Sequence, residues 1–285
     1  MAGKKPPSVR ARQLAAELRR LRDETGLTGE EAGGRLGWSG AKVSRIETAR
    51  ITVTPADVTR LLDLYGVSGQ RRDRLGELGR RAGERGWWDA YADTLDPQYA
   101  TLIALEDQAD QVRWYAPQIV PGLLQTEEYA RQVIRASLLI SPPGEIERRV
   151  QVRMNTQRVL DRAGQPLGLL VVLDEAALLR QVGGAGVMRD QLRHLVEAAG
   201  RPDVGLQVLP NGAGAHPALT GEFAILEFPE LSAPDVVYLE NMTSNIYVEQ
   251  EAEVFRYNLA FDGLRGLALD PAESRELITR LAEAL

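Results

Sequence analysis

Apolar residues recur at helical spacing along residues 1–86. Leu14, Leu18 and Leu21 occupy the i, i+4, i+7 positions that place side chains on one face of an amphipathic helix. Similar stripes predict four further helices before the pattern changes. Residues 1–8 lack this periodicity and are typical of a flexible arm. The pattern therefore predicts an all-α, five-helix domain in this part of the chain.

Beyond residue 86, helical segments alternate with short β-rich runs. Apolar runs bounded by turn residues predict strands at 167–173, 204–209, 223–228, 236–239 and 246–248. The intervening patterns predict helices at about 126–137, 144–162, 187–199, 249–267 and 271–285. The chain is therefore predicted to be multidomain, with a mixed α/β domain over residues 87–285 that serves as an effector, dimerisation or partner-binding domain.

Residues 29–48 fit a helix-turn-helix at several independent positions. Thr28 is placed to cap the first helix, and Glu31 three residues later completes a capping box. Gly33 is small where two helices must cross closely, and Gly37 can adopt the positive φ of a tight turn. These features predict a short helix followed at once by a second one.

The second helix of this pair separates an inner from an outer side. Ser39 is predicted to cap it, while Val43 and Ile46, at i and i+3, point into the core. The outer side then carries small, polar and basic residues, namely Gly40, Ala41, Lys42, Ser44 and Arg45. Such a surface fits a DNA major groove about 12 Å wide.

Residue chemistry suggests a role for each exposed side chain. Arg45 is the best candidate for a bidentate contact to guanine, Lys42 for a base or phosphate, and Ser44 for a short hydrogen bond. Arg50, in the following loop, is expected to hold the DNA backbone. The alternative is an ordinary helical hairpin with solvated charges. The predicted DNA-binding set is Thr28, Ser39, Gly40, Ala41, Lys42, Ser44, Arg45 and Arg50.

Charge is distributed unevenly along the chain. The net charge is -6, yet residues 1–86 hold 18 basic and 11 acidic residues, and the remainder holds 16 basic and 29 acidic ones. Only the first part suits a polyanion such as double-stranded DNA. The absence of cysteine excludes disulfides and thiolate chemistry. No apolar run approaches the roughly 20 residues that span a bilayer, so we expect a cytoplasmic, nucleoid-associated protein without a membrane partner.

The segment LTGEEAGGRLGWSGAKVSRIETAR, residues 27–50, resembles the XRE-type helix-turn-helix family, which has the lambda-repressor-like DNA-binding fold. Its VSRIE core is the most specific part. Later segments resemble the C-terminal domain found behind this module in regulators of antibiotic-producing soil bacteria: PQIVPGLLQTEEYAR (117–131), LDEAALLRQVGG (173–184) and GAHPALTGEFAILEF (214–228). The resemblance implies a homodimeric transcriptional regulator that often works with a small partner protein. It implies no chemistry for the second domain.

Three residues depart from the family pattern. Gly29 and Gly40 stand where relatives often have glutamine, which can bridge phosphate and adenine, so base reading is expected to depend more on Lys42 and Arg45. Ala49 stands where the family usually has glycine. If the backbone keeps a positive φ there, alanine adds roughly 1 kcal/mol of strain.

The second domain offers few residues for chemistry. The only histidines, His194 and His216, lack metal-ligand spacing, and no phosphate-loop or nucleophile-elbow motif occurs. We therefore expect no metal, no cofactor and no enzyme activity. A small-molecule effector would be sought near Trp114, Asp174, His216 and Tyr238. Helix capping by the aspartate and core packing of the aromatic residues are the alternative interpretations.

The sequence thus predicts a sequence-specific transcriptional regulator that reads a two-fold operator as a homodimer. Its second domain would supply dimerisation together with ligand or protein sensing. One alternative is an antitoxin-like or partner-protein-binding hub whose DNA binding is autoregulatory. Another is a catalytic second domain controlled by DNA binding.

Overall fold

The structure is a computed structural model, which describes residues 9–51, 53–82, 86–91, 95–138, 144–228, 235–242 and 244–285. It divides into two compact units, Met1–Ala90 and Tyr91–Leu285. The division lies four residues beyond the boundary predicted from the sequence. The arm predicted over residues 1–8 lies outside the described residues.

The N-terminal unit contains the five predicted helices. They are α1 (Val9–Glu24), α2 (Gly29–Leu36), α3 (Gly40–Glu47), α4 (Pro55–Leu64) and α5 (Gly69–Arg81). A 3-10 helix, Trp87–Tyr91, follows. The last α-helix ends at Arg81, earlier than the sequence pattern predicted. The apolar stripes meet in one core, which includes Leu14, Leu18, Leu21, Ile46, Val58, Leu61, Leu62, Tyr65 and Leu75.

The C-terminal unit is a mixed α/β domain, as predicted. Its strands are β1 (Gln111–Ala116), β2 (Gly168–Asp174), β3 (Val204–Leu209), β4 (Phe223–Glu227), β5 (Val236–Glu240) and β6 (Asn245–Val248). Its α-helices are α6 (Pro97–Glu106), α7 (Glu127–Ser137), α8 (Glu145–Thr156), α9 (Glu175–Leu179), α10 (Ala185–Ala198), α11 (Glu251–Leu267) and α12 (Pro271–Glu283). Short 3-10 helices cover Gly122–Leu124, Gln157–Asp161 and Asn211–Ala213.

The six strands form one sheet in the order β3-β2-β1-β4-β5-β6. Strands β1, β2 and β3 are parallel to one another, and the other pairs are antiparallel. All five predicted strands are present, but β1, which joins the two halves of the sheet, was missed. Its sequence, QVRWYA, mixes polar and apolar residues. The sheet accommodates Arg113 because the side chain pairs with Glu227 on β4 and bonds to Asn258 on α11.

Strand register assigns side chains to the two faces of the sheet. Directly paired residues share a face, and neighbours along a strand alternate between faces. Trp114 pairs with Ala224, which pairs with Tyr238, so these three form a row on one face. Tyr115 and Phe223 form the adjacent row on the opposite face, where they pack in a core with residues of α11.

Candidate functional site

The turn between α2 and α3 follows the predicted capping chemistry. The Thr28 hydroxyl accepts a hydrogen bond from the Glu31 N–H at 3.2 Å, and the Glu31 carboxylate accepts one from the Thr28 N–H at 2.8 Å. The hydrogen bonds that the Glu31 carboxylate accepts from the Thr28 N–H and the Thr28 hydroxyl lower its pKa below the usual value. At the other end of α2, Gly37 has φ 69°. The capping box and the left-handed turn glycine are therefore confirmed.

Two glycines let α2 and α3 approach each other closely. A Cβ atom at Gly33 would lie 2.9 Å from the carbonyl oxygen of Trp38, and one at Gly40 would lie 2.9 Å from Cγ of Glu30. The close crossing at Gly33 is thus confirmed. The contact at Gly40 gives a physical reason for the absence of glutamine there, because any side chain would have to displace Glu30.

Helix α3 presents a buried and an exposed side as predicted. Val43 and Ile46 are 1% and 2% exposed, and the Ser39 hydroxyl caps the helix by accepting a hydrogen bond from the Lys42 N–H at 3.2 Å. The outward side chains include Ala41, Ser44 and Arg45, all of which are exposed. A short surface with one guanidinium therefore faces outward from the helix.

The Lys42 side chain is engaged within the domain. Its Nζ lies 3.0 Å from Oδ2 of Asp57 on α4 and 3.7 Å from the ring centroid of Trp38. On the same ring, the Arg60 guanidinium lies 4.9 Å from the centroid, and Arg60 also donates to the Leu36 carbonyl. The sequence pattern predicts a DNA contact for Lys42 and gives no signal for Trp38, Asp57 or Arg60. These contacts join residues up to 24 positions apart, so no local spacing signals them.

The glutamate of the VSRIE core holds α3 against α1. Arg22 donates from Nε and Nη2 to the two carboxylate oxygens of Glu47, at 2.7 and 3.0 Å. Its Nη1 also donates to the Leu27 carbonyl at 2.7 Å. Donation of hydrogen bonds to the Glu47 carboxylate raises the pKa of Arg22. Burial beside this pair raises the pKa of Tyr65 to about 12. Glu47 was not predicted as a functional residue, and its role is to position the exposed side of α3.

The turn after α3 carries the remaining predicted contact residues. Arg45 donates from Nε to the Ala41 carbonyl at 3.1 Å, which aligns the guanidinium along the helix. The Arg50 side chain is exposed, and its backbone N–H closes the turn onto the Arg45 carbonyl at 2.8 Å. Ala49 has φ 50°, the one positive value at a non-glycine residue in the described chain. The backbone strain expected at Ala49 is therefore present.

Comparison with known families matches both parts of the chain. Residues 13–75 match a helix-turn-helix domain. Residues 99–280, more than half of the chain, match a domain of unknown function, DUF5753. The chain belongs to the DUF5753 family. Its order of domains confirms a helix-turn-helix DNA-binding regulator with an uncharacterised second domain. Neither the curated proteins nor the solved structures contain a match to it.

Two of the four residues predicted for an effector meet at one end of the DUF5753 sheet. The Tyr115 hydroxyl lies 3.5 Å from Oδ2 of Asp174 and 3.4 Å from Nε2 of His216. Nδ1 of His216 accepts from the Ala218 N–H at 3.3 Å. Burial and the neighbouring Asp174 carboxylate raise the pKa of Tyr115. Asp174 also caps α9 by accepting from the Ala176 N–H at 2.9 Å, so this group anchors the loop to the sheet.

The other two predicted residues lie on the opposite face of the sheet. Trp114 donates from Nε1 to the Glu222 carboxylate at 2.6 Å, and the Tyr238 hydroxyl donates to Glu240 at 3.1 Å. Burial raises the pKa of Glu222 to about 7, although the indole N–H opposes this effect. Trp114, Asp174, His216 and Tyr238 therefore do not line one pocket. The sheet separates them into two pairs, because adjacent positions on β1 point to opposite faces.

Within the part of the chain that the structure describes, no helix is long and apolar enough to cross a bilayer. The same residues contain no group of three His, Asp or Glu side chains arranged to hold a metal ion.

Proposed function

We propose that the chain is a sequence-specific transcriptional regulator that binds a two-fold operator as a homodimer and has no catalytic activity of its own. In this proposal the DUF5753 domain senses a ligand or a protein. The observation that carries the DNA-reading part is the exposed side of α3, with Ala41, Ser44 and Arg45. That side is held rigid from behind by Val43, Ile46 and the Glu47–Arg22 pair.

The chemistry of that surface favours direct reading of bases. Small residues at positions 40 and 41 allow the start of α3 to approach base edges closely. Arg45 can then donate two parallel hydrogen bonds to O6 and N7 of guanine. Lys42 contributes positive charge near the groove, but its ion pair with Asp57 must open before the ammonium can contact DNA. Each DNA-binding domain therefore makes few base contacts. A second copy of the protein would compensate, because a dimer reads two half-sites.

An exposed apolar surface on the DUF5753 domain supports pairing with a second copy. Phe255 and Leu259, one helical turn apart on α11, are 59% and 56% exposed. Met242 and Ile246 are also exposed, and Ile246 lies on β6, the edge strand of the sheet. Large exposed apolar side chains that are neighbours, as Phe255 and Leu259 are on α11, typically mark a protein interface. A dimer would cover them and present two copies of α3 to half-sites about one helical turn apart.

The test is quantitative DNA binding by the purified full chain. A fragment of the upstream region of its own gene and a scrambled fragment of equal composition are titrated at several salt concentrations. We expect the native fragment to bind at least about 10³-fold more tightly at physiological salt, the range of specific regulators. Footprinting should then show two symmetric protected half-sites. Equal affinity for both fragments, with a steep salt dependence, would reduce the protein to a non-specific polyanion binder.

A further inference from the structure

A polar cavity of ≈ 380 Å³ lies within the C-terminal domain. It is bordered by residues of α6, α7 and α8, by the end of β5 and by the segment that follows β5. Its lining includes the polar and charged side chains of Tyr99, Arg149, Arg153, Glu240, Asn241 and Asn245. This volume falls within the range of small-molecule sites in proteins.

Arg153 brings a positive charge into this cavity without a paired carboxylate. Its Nε donates to the Tyr99 hydroxyl at 3.0 Å, and its Nη1 donates to Oε1 of Gln125 at 2.9 Å. Both partners are neutral. Within the described residues no carboxylate oxygen lies within 4 Å of the guanidinium, and Nη2 has no hydrogen-bond acceptor. Arg153 is partly buried. A charge that is partly withdrawn from water and has no counter-ion within 4 Å is costly, so such an arrangement is typical of a site that receives an anion.

The surrounding chain fixes the position of this guanidinium. A Cβ atom at Gly122 would lie 2.7 Å from Nη1 of Arg153, so a side chain there would displace the guanidinium from this position. The buried Gln125 donates to the Val120 carbonyl at 2.8 Å. Gln157 donates to the carbonyls of Gly122 and Gln125 at 2.9 and 2.7 Å. The VPGLLQ segment therefore forms a rigid cradle for Arg153.

A second guanidinium lies one helical turn away. Arg149 precedes Arg153 by four residues on α8, a spacing that brings two like charges onto one helical face. One of its terminal nitrogens pairs with Glu145 at 2.6 Å, whereas its buried Nε has no hydrogen-bond partner. An anion between the two guanidiniums would relieve their repulsion.

The nearby carboxylates do not fill this role. Glu106 is buried close to Arg153, and burial raises its pKa to about 8, so it is largely neutral at pH 7. Glu240 borders the cavity, and its carboxylate already accepts a hydrogen bond from Tyr238. Glu240 would repel a multiply charged anion such as a phosphate ester. It would instead accept a hydrogen bond from a hydroxyl or ammonium group.

From this geometry we infer that the cavity binds a small organic acid that carries a hydroxyl or ammonium group. Its carboxylate accepts hydrogen bonds from Arg153 and Arg149, and its donor group faces Glu240. Asn241 and Asn245 supply further hydrogen bonds at the rim of the cavity. This inference names the ligand class and the site for the sensing part of the proposed function, and rests on that part alone.

Ligand binding is tested on the full-length protein without DNA. The probes are the twenty L-amino acids, L-lactate, L-malate and L-tartrate, each paired with the amide that lacks its carboxylate charge, at constant ionic strength and pH. Thermal shift identifies binders, and calorimetry gives their Kd. We expect at least one acid to raise Tm while its amide does not. The Arg149→Gln substitution should raise the Kd for that acid at least about tenfold. The Arg148→Gln substitution, at an exposed neighbour on the same helix, should leave Kd unchanged.

Three results would overturn the inference. They are no shift with any acid, equal shifts with acid and amide, or equal affinity in wild type and Arg149→Gln. Arg153→Gln is informative only if it melts cooperatively, and a folded variant that keeps full affinity would also count against the site. The wild-type protein is tested separately for operator binding. Acid binding without operator preference contradicts the proposed DNA reading, and operator preference without acid binding contradicts only this site.

Discussion

Arg22 and Glu47 form a bidentate ion pair that joins the first helix of the DNA-binding domain to the end of the third. The Glu47 side chain is 8% exposed, and the two donor–acceptor distances are 2.7 and 3.0 Å. Paired hydrogen bonds of this kind fix orientation as well as distance. The exposed side of α3 is therefore held by a contact that itself does not face outward.

Replacing Glu47 by alanine should destabilise the DNA-binding domain and weaken its DNA affinity together. Removing Glu47 leaves Nε and Nη2 of the mostly buried Arg22 without their acceptors, at a cost of roughly 2 kcal/mol, while Nη1 keeps its contacts to Asp23 and to the Leu27 carbonyl. Chemical denaturation and DNA titration measure the two effects. Glu77→Ala removes an exposed carboxylate paired with Arg80 and should change stability by less than about 0.5 kcal/mol. Equal losses of stability and DNA affinity in the two variants would contradict a positioning role for Glu47.

Replacing Arg45 and Arg50 should separate base reading from backbone binding. Arg45→Ala should cost about 1–3 kcal/mol on the operator and relax preference at one base pair. Arg50→Ala should weaken operator and scrambled DNA alike and reduce the salt slope by about one. Binding to a set of single-base operator variants distinguishes the two. The same specificity profile for both variants would contradict these assignments.

Releasing Lys42 from its intramolecular partner should strengthen DNA binding. Asp57→Asn removes the carboxylate 3.0 Å from Nζ of Lys42 and frees the ammonium for phosphate. We expect tighter binding and a steeper dependence on salt concentration, by about one counterion. Asp63→Asn makes the same charge change on the same helix at a residue paired with Arg72. If both variants gain the same DNA affinity, the loss of one negative charge explains the gain, and the release of Lys42 does not.

Stability of the C-terminal domain should fall as the pH rises, because of Glu106. Its ordinary pKa of 4.5 is raised to about 8 in the folded state by burial, although Arg153 opposes the shift. Below pH 4.5 both states are protonated. As the pH rises through the interval up to about 8, only the unfolded state ionises fully, so folding loses free energy.

Glu106→Gln should therefore remove part of that pH dependence. Urea unfolding at pH 6 and pH 9 is expected to show a smaller loss in the variant than in wild type, by roughly 1–3 kcal/mol, since each unit of pKa difference corresponds to about 1.4 kcal/mol. Glu276→Gln, at an exposed position on α12, serves as the control. Parallel pH curves for wild type and Glu106→Gln would show that this carboxyl is not responsible.

A charge placed on the apolar surface of α11 should separate the proposed dimer. Phe255→Asp and Leu259→Asp each put a carboxylate where two copies would bury apolar side chains. Sedimentation equilibrium should report monomers for both variants and a dimer for wild type. Leu179→Asp changes an equally exposed leucine on α9, after strand β2, and should remain dimeric. A monomeric wild type would contradict the proposed dimer, and a partner protein would then be the candidate to cover the apolar surface of α11.

The local features of the DNA-binding domain could be predicted from the sequence because their causes lie within a few residues. The capping box at Thr28 and Glu31, the turn at Gly37 and the inward pair Val43 and Ile46 all follow from helical spacing and backbone conformation. Apolar runs likewise predicted five strands of the sheet. Fold class and domain order needed no more than this local information.

Only the tertiary structure decided which distant residues meet. Strand β1 was missed because its polar residues find partners on other elements, such as Glu227 for Arg113. Lys42 looked available for DNA until α4 brought Asp57 to it. The four candidate effector residues were separated by the alternation of side chains across the sheet. The sequence by itself thus determined most of the elements and the order of the two domains, whereas long-range pairing decided which charges meet a partner within the fold.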